Sequence, residues 1–325
     1  MLKDKIIHQL EISDDYISGE TLAKQFGVSR AAIWKAVKSL KNDGCTIDSV
    51  PNRGYRLVRQ SDSLNSDIIK ENMNKRARSL ALTVLETVDS TNNEAKRMLA
   101  GGFDGNALII ANEQTGGRGR LGRSFYSPKN TGIYMTFLLR SSLALSDAVT
   151  VTTAAAVAVA RAVEAVTGIN VQIKWVNDVY ANGKKVCGIL TEAVSDFETG
   201  IAKSIIIGIG INITTEHFPD GVSASSLGTT APVRNQVIAA VANELTAIYD
   251  ALPDHSAFIE YYRNHSNIIG KEIDFYISNE KHTGKAVDID EDGGLVVKLP
   301  DGGMTVLSSG EVSVRPAGSE PPETK

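Results

Sequence analysis

Three arginines alternate with three glycines in Gly117-Arg118-Gly119-Arg120-Leu121-Gly122-Arg123, and this run limits the fold more than any other segment. Gly117, Gly119 and Gly122 match G-x-G-x-x-G, which in a dinucleotide-binding unit needs a strand before it and an amphipathic helix after it. The flanks are Asn112-Glu113-Gln114-Thr115 and Ser124-Phe125-Tyr126-Ser127-Pro128, which supply neither element, so a dinucleotide-binding turn is excluded here. A flexible polycationic loop remains. Its glycines let backbone amides crowd an oxyanion, and its guanidinium forks pair with carboxylate or phosphate in bidentate fashion. Further along come Lys174-Trp175-Val176-Asn177-Asp178, which reads as a strand end, and Asn182-Gly183-Lys184-Lys185. Together these cations describe a site for anionic phosphoryl groups.

With 325 residues, 42% of them hydrophobic, the chain can bury more than one core, and its length suggests two or three domains. No stretch is read as long and apolar enough for a membrane span, and the most apolar strand candidate, 204–213, is short and carries Asn212. Met1-Leu2-Lys3-Asp4-Lys5 is followed by no apolar signal region, which predicts a cytoplasmic location. Cys45, Cys187 and the five histidines show no ligand spacing, so neither a disulfide framework nor a structural metal is expected.

The net charge of −4 is unevenly spread. Residues 21–60 carry eight cations against Asp43 and Asp48, an excess of six positive charges on an otherwise acidic chain. In this region Leu2, Ile6, Ile7 and Leu10 keep helical spacing, and Ser18 can cap a second helix that carries Leu22, Ala23 and Phe26 and ends at Gly27. Ser29 can cap a third, which buries Ile33, Val37 and Leu40, leaves Arg30, Lys35 and Lys38 off the stripe, and stops near Gly44. Residues 46–50, Pro51-Asn52-Arg53-Gly54 and 55–58 read as a hairpin wing carrying Arg53 and Arg56 toward a DNA backbone. A winged helix-turn-helix over 1–60 is thus expected to contact DNA through Ser29, Arg30, Lys35, Lys38, Arg53 and Arg56. The alternative is the same module used only for protein contacts.

Gln60-Ser61-Asp62-Ser63 reads as a linker. Strands are then expected over 80–87, 107–112, 132–139, 171–176, 186–194 and 204–213, with a buried helix at 152–166 and further helices at 232–251 and 256–264. After Gly270 come short strands over 273–277, 286–289, 295–299, 305–307 and 312–314, separated by Glu291-Asp292-Gly293-Gly294 and Pro300-Asp301-Gly302-Gly303, a small-barrel pattern. The fold class is therefore α+β: a winged helix, a central mixed sheet domain (66–267), a small SH3-like barrel (268–316) and a disordered tail (317–325).

The Gly-Arg loop and the Lys-Trp-x-Asn-Asp segment, spaced this way, resemble those of the biotin protein ligases. Asp89-Ser90-Thr91-Asn92, Gly188-Ile189-Leu190-Thr191-Glu192 and Gly208-Ile209-Gly210-Ile211-Asn212 extend the resemblance, which covers roughly 80–315. Val176 stands where the family usually has proline, and Phe125 where it often has tryptophan. The basic N-terminal module resembles that of the bifunctional, repressor class. The resemblance implies ATP-dependent activation of biotin to biotinyl-5'-AMP, with magnesium, and transfer to a lysine of the biotin carboxyl carrier protein of acetyl-CoA carboxylase. It also implies repression through operator DNA as an adenylate-bound homodimer. Lys185, Arg118 and Arg120 would be catalytic. Biotin would be held by Ser90, Thr91, Asn92, Gln114, Gly117, Arg118, Gly119, Arg120, Lys185, Gly188, Gly208 and Gly210. Arg118, Arg120, Arg123, Lys174, Asn177, Asp178, Lys185 and Asn212 would hold ATP, with magnesium near Asp178.

The residues also admit plainer readings. Thr91 with Glu94 reads as a helix capping box, Gly183-Lys184-Lys185 as an exposed hairpin turn, Asp178 as the partner of an arginine, and Trp175 as packing. Among whole functions, a lipoate-type ligase shares the adenylation chemistry. A non-catalytic metabolite-sensing repressor would need the pocket but not the cations.

Overall fold

The computed structural model describes residues 2–13, 15–42, 45–59, 62–144, 148–195, 202–229, 232–277, 280–308 and 315–316. The expected helix stop at Gly44, Gln60-Ser61, the strand at 312–314 and the tail beyond Pro316 lie outside the described residues. The chain forms two compact units, Met1–Asn65 with Thr229–Asn235, and Ser66–Gly228 with Gln236–Lys325.

In the first unit, α1 (Leu2–Glu11), α2 (Gly19–Phe26) and α3 (Arg30–Asn42) precede an antiparallel hairpin of β1 (Thr46–Val50) and β2 (Gly54–Arg59). Ser18 and Ser29 cap as their spacing predicts: each hydroxyl accepts from the amide three residues on, Thr21 at 3.0 Å and Ala32 at 3.2 Å. The predicted stripe of Ile33, Val37 and Leu40 meets Ile6, Leu10 and Leu22 in one core. Ile17 and Tyr55 exchange backbone hydrogen bonds of 2.8 and 2.9 Å, tying the hairpin to the α1–α2 connection. Arg234, fully buried, donates its amide and guanidinium to Asp62 within this unit.

The second unit opens with α4 (Ser66–Asn72), which no pattern in the sequence marks. It continues through β3 (Ala81–Leu85), α5 (Thr91–Ala100), β4 (Ala107–Ala111), β5 (Gly132–Arg140), α6 (Ala148–Thr167), β6 (Gln172–Lys174), β7 (Asp178–Ala181), β8 (Lys184–Ser195) and β9 (Ala202–Asn212). These strands make one sheet in the order β3-β4-β5-β9-β8-β7-β6, parallel only between β3 and β4. α7 (Arg234–Ala251) and α8 (Ile259–His265) follow. A five-stranded antiparallel sheet then forms from β10 (Glu272–Ile277), β11 (Glu280–Ile289), β12 (Leu295–Lys298), β13 (Met304–Leu307) and β14 (Arg315–Pro316).

Two expectations need correction. Residues 171–176 are not one strand: β6 stops at Lys174, and Lys174 pairs with Asp178 across a turn of Trp175-Val176-Asn177. The turn leaves the ladder because its groups are bonded elsewhere, Trp175 to a carbonyl of the five-stranded sheet and Asn177 to β8. Second, Val149–Thr167 is long and apolar enough to span a membrane, at mean hydropathy 1.5, although no such stretch was expected; 78% of it is buried inside this unit. The segment packs against β6, β7, β8 and α8, which accounts for its apolar surface all round.

Gly54, at φ 114°, begins β2, and a Cβ there would lie 2.1 Å from the Ile17 carbonyl oxygen. Gly54→Ala should therefore destabilise the first unit by on the order of 2 kcal/mol. Hydrogen exchange at the Ile17 and Tyr55 amides reads this out: protection as in the parent chain would show that the close approach does not constrain the hairpin.

Candidate active site

The turn after β6 is bonded on every side. Trp175 Nε1 donates to the Gly293 carbonyl (2.9 Å) and the buried Tyr262 hydroxyl to the Val176 carbonyl (3.3 Å). Asn177 Nδ2 donates to the Ile189 carbonyl, and the Ile189 amide donates back to the Asn177 carbonyl, both at 2.9 Å. The peptide bond before Val176 is cis. This leaves Asn177 Oδ1 to accept from Arg120 Nη1 at 2.8 Å, which brings the Gly-Arg loop onto the sheet. Burial lowers the Arg120 pKa, the Asp178 charge opposes that shift, and Arg123 adds to it; a guanidinium remains protonated regardless.

Asp178 opens β7, and its Oδ1 lies 2.6 Å from Lys185 Nζ in a half-buried ion pair. This oxygen is buried, and the Lys185 ammonium is the cation it faces. The hairpin that joins the two strands turns at Asn182 and Gly183, both at positive φ. Lys184 is exposed beside that turn, whereas Lys185 lies within β8 and faces Asp178, so the exposed-turn reading fits Lys184 and not Lys185. The plainer reading of Asp178, as the partner of an arginine, gives way to a lysine partner. Lys174 Nζ lies 5.9 Å from the Tyr180 ring centre. Tyr180 is pushed up to about 12, chiefly by burial and then by the Asp178 charge.

A second polar cluster lies at the start of α5. Gln114 Oε1 accepts from the Thr91 amide (2.9 Å) and hydroxyl (3.1 Å), while Gln114 Nε2 donates to Ser127. The capping-box reading is thereby overturned: Ser90 is the N-cap with no side-chain cap, Glu94 pairs with Arg97, and Gln114 from another segment satisfies the helix end. Thr136, fully buried in β5, lies 2.7 Å from Thr91 Oγ1 and 2.6 Å from Asn92 Oδ1. Asn92 Nδ2 donates to Glu192, whose other oxygen pairs with Lys96 at 2.7 Å. A Cβ on Gly208 would meet Asn92 Oδ1 at 2.3 Å, and one on Gly210 would meet the Phe125 ring at 2.5 Å. The two glycines of β9 thus seat Asn92 and Phe125 directly on the sheet.

A cavity of about 260 Å³ lies between the start of α5 and the Gly-Arg loop, lined among others by Ser90, Asn92, Arg118, Arg120, Leu190 and Glu192. Gly117 is buried where a Cβ would meet the Phe125 carbonyl, and Gly119 donates its amide to the Arg123 carbonyl, which closes the loop on itself. Arg118 and Arg123 are exposed. Gly188 lies beside Lys185 Nζ. Asn212 is buried, donates to the Ser225 carbonyl, and holds an Oδ1 with no donor among the described residues. Thr136 and Lys96 were not singled out from sequence. A lone threonine inside the apolar run of β5 was the available signal for the first, and nothing local marks the second.

In the first unit, Ser29, Arg30, Lys35 and Lys38 are exposed at the start and along the outer side of α3. The wing arginines are engaged within the unit: Arg53 pairs with Asp15 (3.0 Å), Arg56 lies 3.8 Å from Asp48, and both guanidinium groups stack on Tyr16. Their expected placement toward a DNA backbone therefore requires exchanging a carboxylate for a phosphate.

Residues 84–212 match the Biotin/lipoate A/B protein ligase family, residues 3–56 an HTH domain and residues 268–315 the biotin protein ligase C terminal domain. The chain is 29% identical to the bifunctional ligase/repressor BirA of Bacillus spizizenii across 94% of this chain and 97% of that protein. The solved biotin protein ligase from Aquifex aeolicus in complex with biotin and ATP has a TM-score of 0.61 at 29% identity, covering 73% of this chain and 99% of that one. The chain is also 32% identical to the biotin–[acetyl-CoA-carboxylase] ligase of Mycobacterium tuberculosis, across 71% of this chain and 88% of that protein. On these matches, the chain belongs to the biotin protein ligase family.

Proposed function

We infer that this chain activates biotin with ATP to biotinyl-5'-AMP, transfers the biotinyl group to a lysine of the biotin carboxyl carrier protein of acetyl-CoA carboxylase, and represses transcription through its winged helix. The observation that carries the reading is the pair of anchored cations: Arg120, held by Asn177 and lining the same cavity as Ser90 and Asn92, and Lys185, held by Asp178. In the first step a biotin carboxylate oxygen attacks the α-phosphorus and pyrophosphate leaves. Two anions must meet, so the barrier falls when fixed cations are already present where charge accumulates. Lys185 bridges carboxylate and α-phosphate, Arg118 and Arg120 cover the adenylate, and Arg123 and Lys174 lie on the nucleotide side. The acceptor amine then attacks the biotinyl carbonyl and AMP departs.

Biotin's ureido ring offers one carbonyl acceptor and two N–H donors. Ser90, Thr91, Asn92 and Gln114 match it with hydroxyl and amide groups, and Gly117, Gly119, Gly188, Gly208 and Gly210 keep the surrounding backbone close. Asn212 Oδ1, buried and without a donor, suits the exocyclic amine of adenine. Magnesium near Asp178 would have to share the carboxylate with Lys185, whose ammonium lies 2.6 Å from Oδ1. When bound, that ion neutralises the phosphate oxygens. The cations favour catalysis over metabolite sensing alone, and the family's other branch, lipoate ligation, is tested by substituting lipoate for biotin. The chemistry and the relatives fit a cytoplasmic protein.

The direct test is biotin-dependent exchange of label between pyrophosphate and ATP by purified protein with magnesium; no exchange would remove the ligase reading. Lys185→Gln keeps an amide donor toward Asp178 but deletes the charge. Exchange should fall about a hundredfold, on the order of 3 kcal/mol, with little change in melting temperature. Near-parent exchange would exclude Lys185 from the reaction.

Arg120→Ala breaks the bond to Asn177. Preformed biotinyl-AMP should dissociate faster while biotin binds with nearly parent affinity. An unchanged off-rate with biotin binding lost would place Arg120 against the ring instead.

Repression needs a dimer, because a single small module reads too little sequence and two half-sites need a twofold axis. Loop residues ordered on the adenylate spare that entropy at dimerisation. Duplex affinity should therefore rise with biotin and ATP and fall steeply with salt. Titrations with and without biotin and ATP, alongside sedimentation, decide this: equal affinity in both states, or tight binding by a monomer, would defeat the coupling.

A further inference from the structure

α3 has two sides of opposite chemistry. Ile33, Ala36, Val37 and Leu40 are buried in the core of the winged module. The outer side carries Arg30, Lys35, Lys38 and Lys41, and the helix contains no carboxylate. In the middle of that cationic side stands Trp34, 54% exposed, in one row with Arg30 and Lys38 at helical spacings of four residues. Lys38 Nζ lies 5.2 Å from the indole centre, a cation–π contact that covers part of the ring. The fold does not use this side chain: it joins neither the buried core nor the partly buried residues packed against it. An indole left in water costs apolar hydration that a polar residue would avoid, so its place among cations points to an anionic partner that also presents an apolar group.

We propose that Trp34 reads the 5-methyl group of thymine in the major groove, making it a base-reading residue among otherwise phosphate-directed cations. This rests on the DNA-binding reading above and extends it. The second helix of a helix-turn-helix enters the major groove with its N-terminal half, where Trp34 lies one turn beyond the Ser29 cap. Of the groups on base edges in that groove, the thymine methyl is the apolar one. Arg30, Lys35 and Lys38 supply affinity without sequence information, and Trp34 supplies an apolar contact that distinguishes thymine from the other bases. The wing arginines, occupied by Asp15 and Asp48, do not fill that role.

The test begins with full-length protein, biotin and magnesium-ATP, and a pool of duplexes with a randomised core, from which bound sequences are enriched. The enriched duplex is then rebuilt with deoxyuridine in place of thymidine at one position at a time, which keeps pairing and removes only the methyl. Parent protein should lose about fourfold in affinity at one position, repeated symmetrically in the second half-site, as expected for one methyl returned to water. Trp34→Ala should bind the thymine duplex more weakly, be indifferent to deoxyuridine at that position, and keep the parent's salt dependence. Uniform indifference of the parent protein to deoxyuridine, or a methyl effect that persists in Trp34→Ala, would overturn the assignment while leaving DNA binding intact. No enrichment of any duplex would overturn the DNA-binding reading and this inference with it.

Discussion

The reciprocal bonds between Asn177 and Ile189 fix the geometry on which the rest of the site depends. They attach an irregular turn to a strand in the interior of the sheet, so the Asn177 carboxamide cannot rotate without breaking a partly buried hydrogen bond. Its remaining oxygen therefore offers one direction to a donor, and Arg120 takes it. Trp175 and Tyr262 hold the turn from the other side. The indole bonds the Gly293 carbonyl between β11 and β12, and Thr150 of α6 bonds the neighbouring Asp292 carbonyl. The small five-stranded sheet is in this way part of the support for a catalytic-domain turn.

The cluster at α5 works by closure. Thr91, Asn92, Gln114, Ser127, Thr136 and Glu192 bond one another across β5, β8, the segment between β4 and β5 and a helix end, which a group in a low-dielectric interior requires. Lys96 sets a positive charge beside the Glu192 carboxylate where the network opens toward the cavity. The two β9 glycines are the structural condition for this arrangement, since any side chain at Gly208 would displace the Asn92 amide. Cys187, buried in β8 between β7 and β9, has its thiol pushed up by burial, so it packs as a small apolar group.

Charge is arranged differently in the winged module. Cations on α3 face water without carboxylates on their own helix, whereas those on the wing are held by Asp15, Asp48 and the Tyr16 ring. Exposed ion pairs of this kind are worth little, so they hold the wing arginines only weakly.

Sequence by itself determined the elements whose cause is local. Ser18 and Ser29 cap where their spacing says, because a hydroxyl bonds an amide three residues on whatever surrounds it. The stripe of Ile33, Val37 and Leu40 is buried because its period matches the helix. The Gly-Arg run and the Lys-Trp-x-Asn-Asp segment marked a site for anionic phosphoryl groups because cation type and glycine content are written in the residues themselves, and adenylation followed from the resemblance those segments carry. Tertiary structure decided what depends on partners distant in the chain. Gln114 caps α5 in place of Glu94, Lys185 faces Asp178 across a strand pair, Lys174 ends a strand two residues earlier than its apolar neighbours suggest, and Lys96 acquires a role through Glu192. The sequence offers several partners at each of these places. The choice falls to whichever partner the sheet order brings within reach of a buried polar group, because leaving that group unpaired costs more than any local preference supplies.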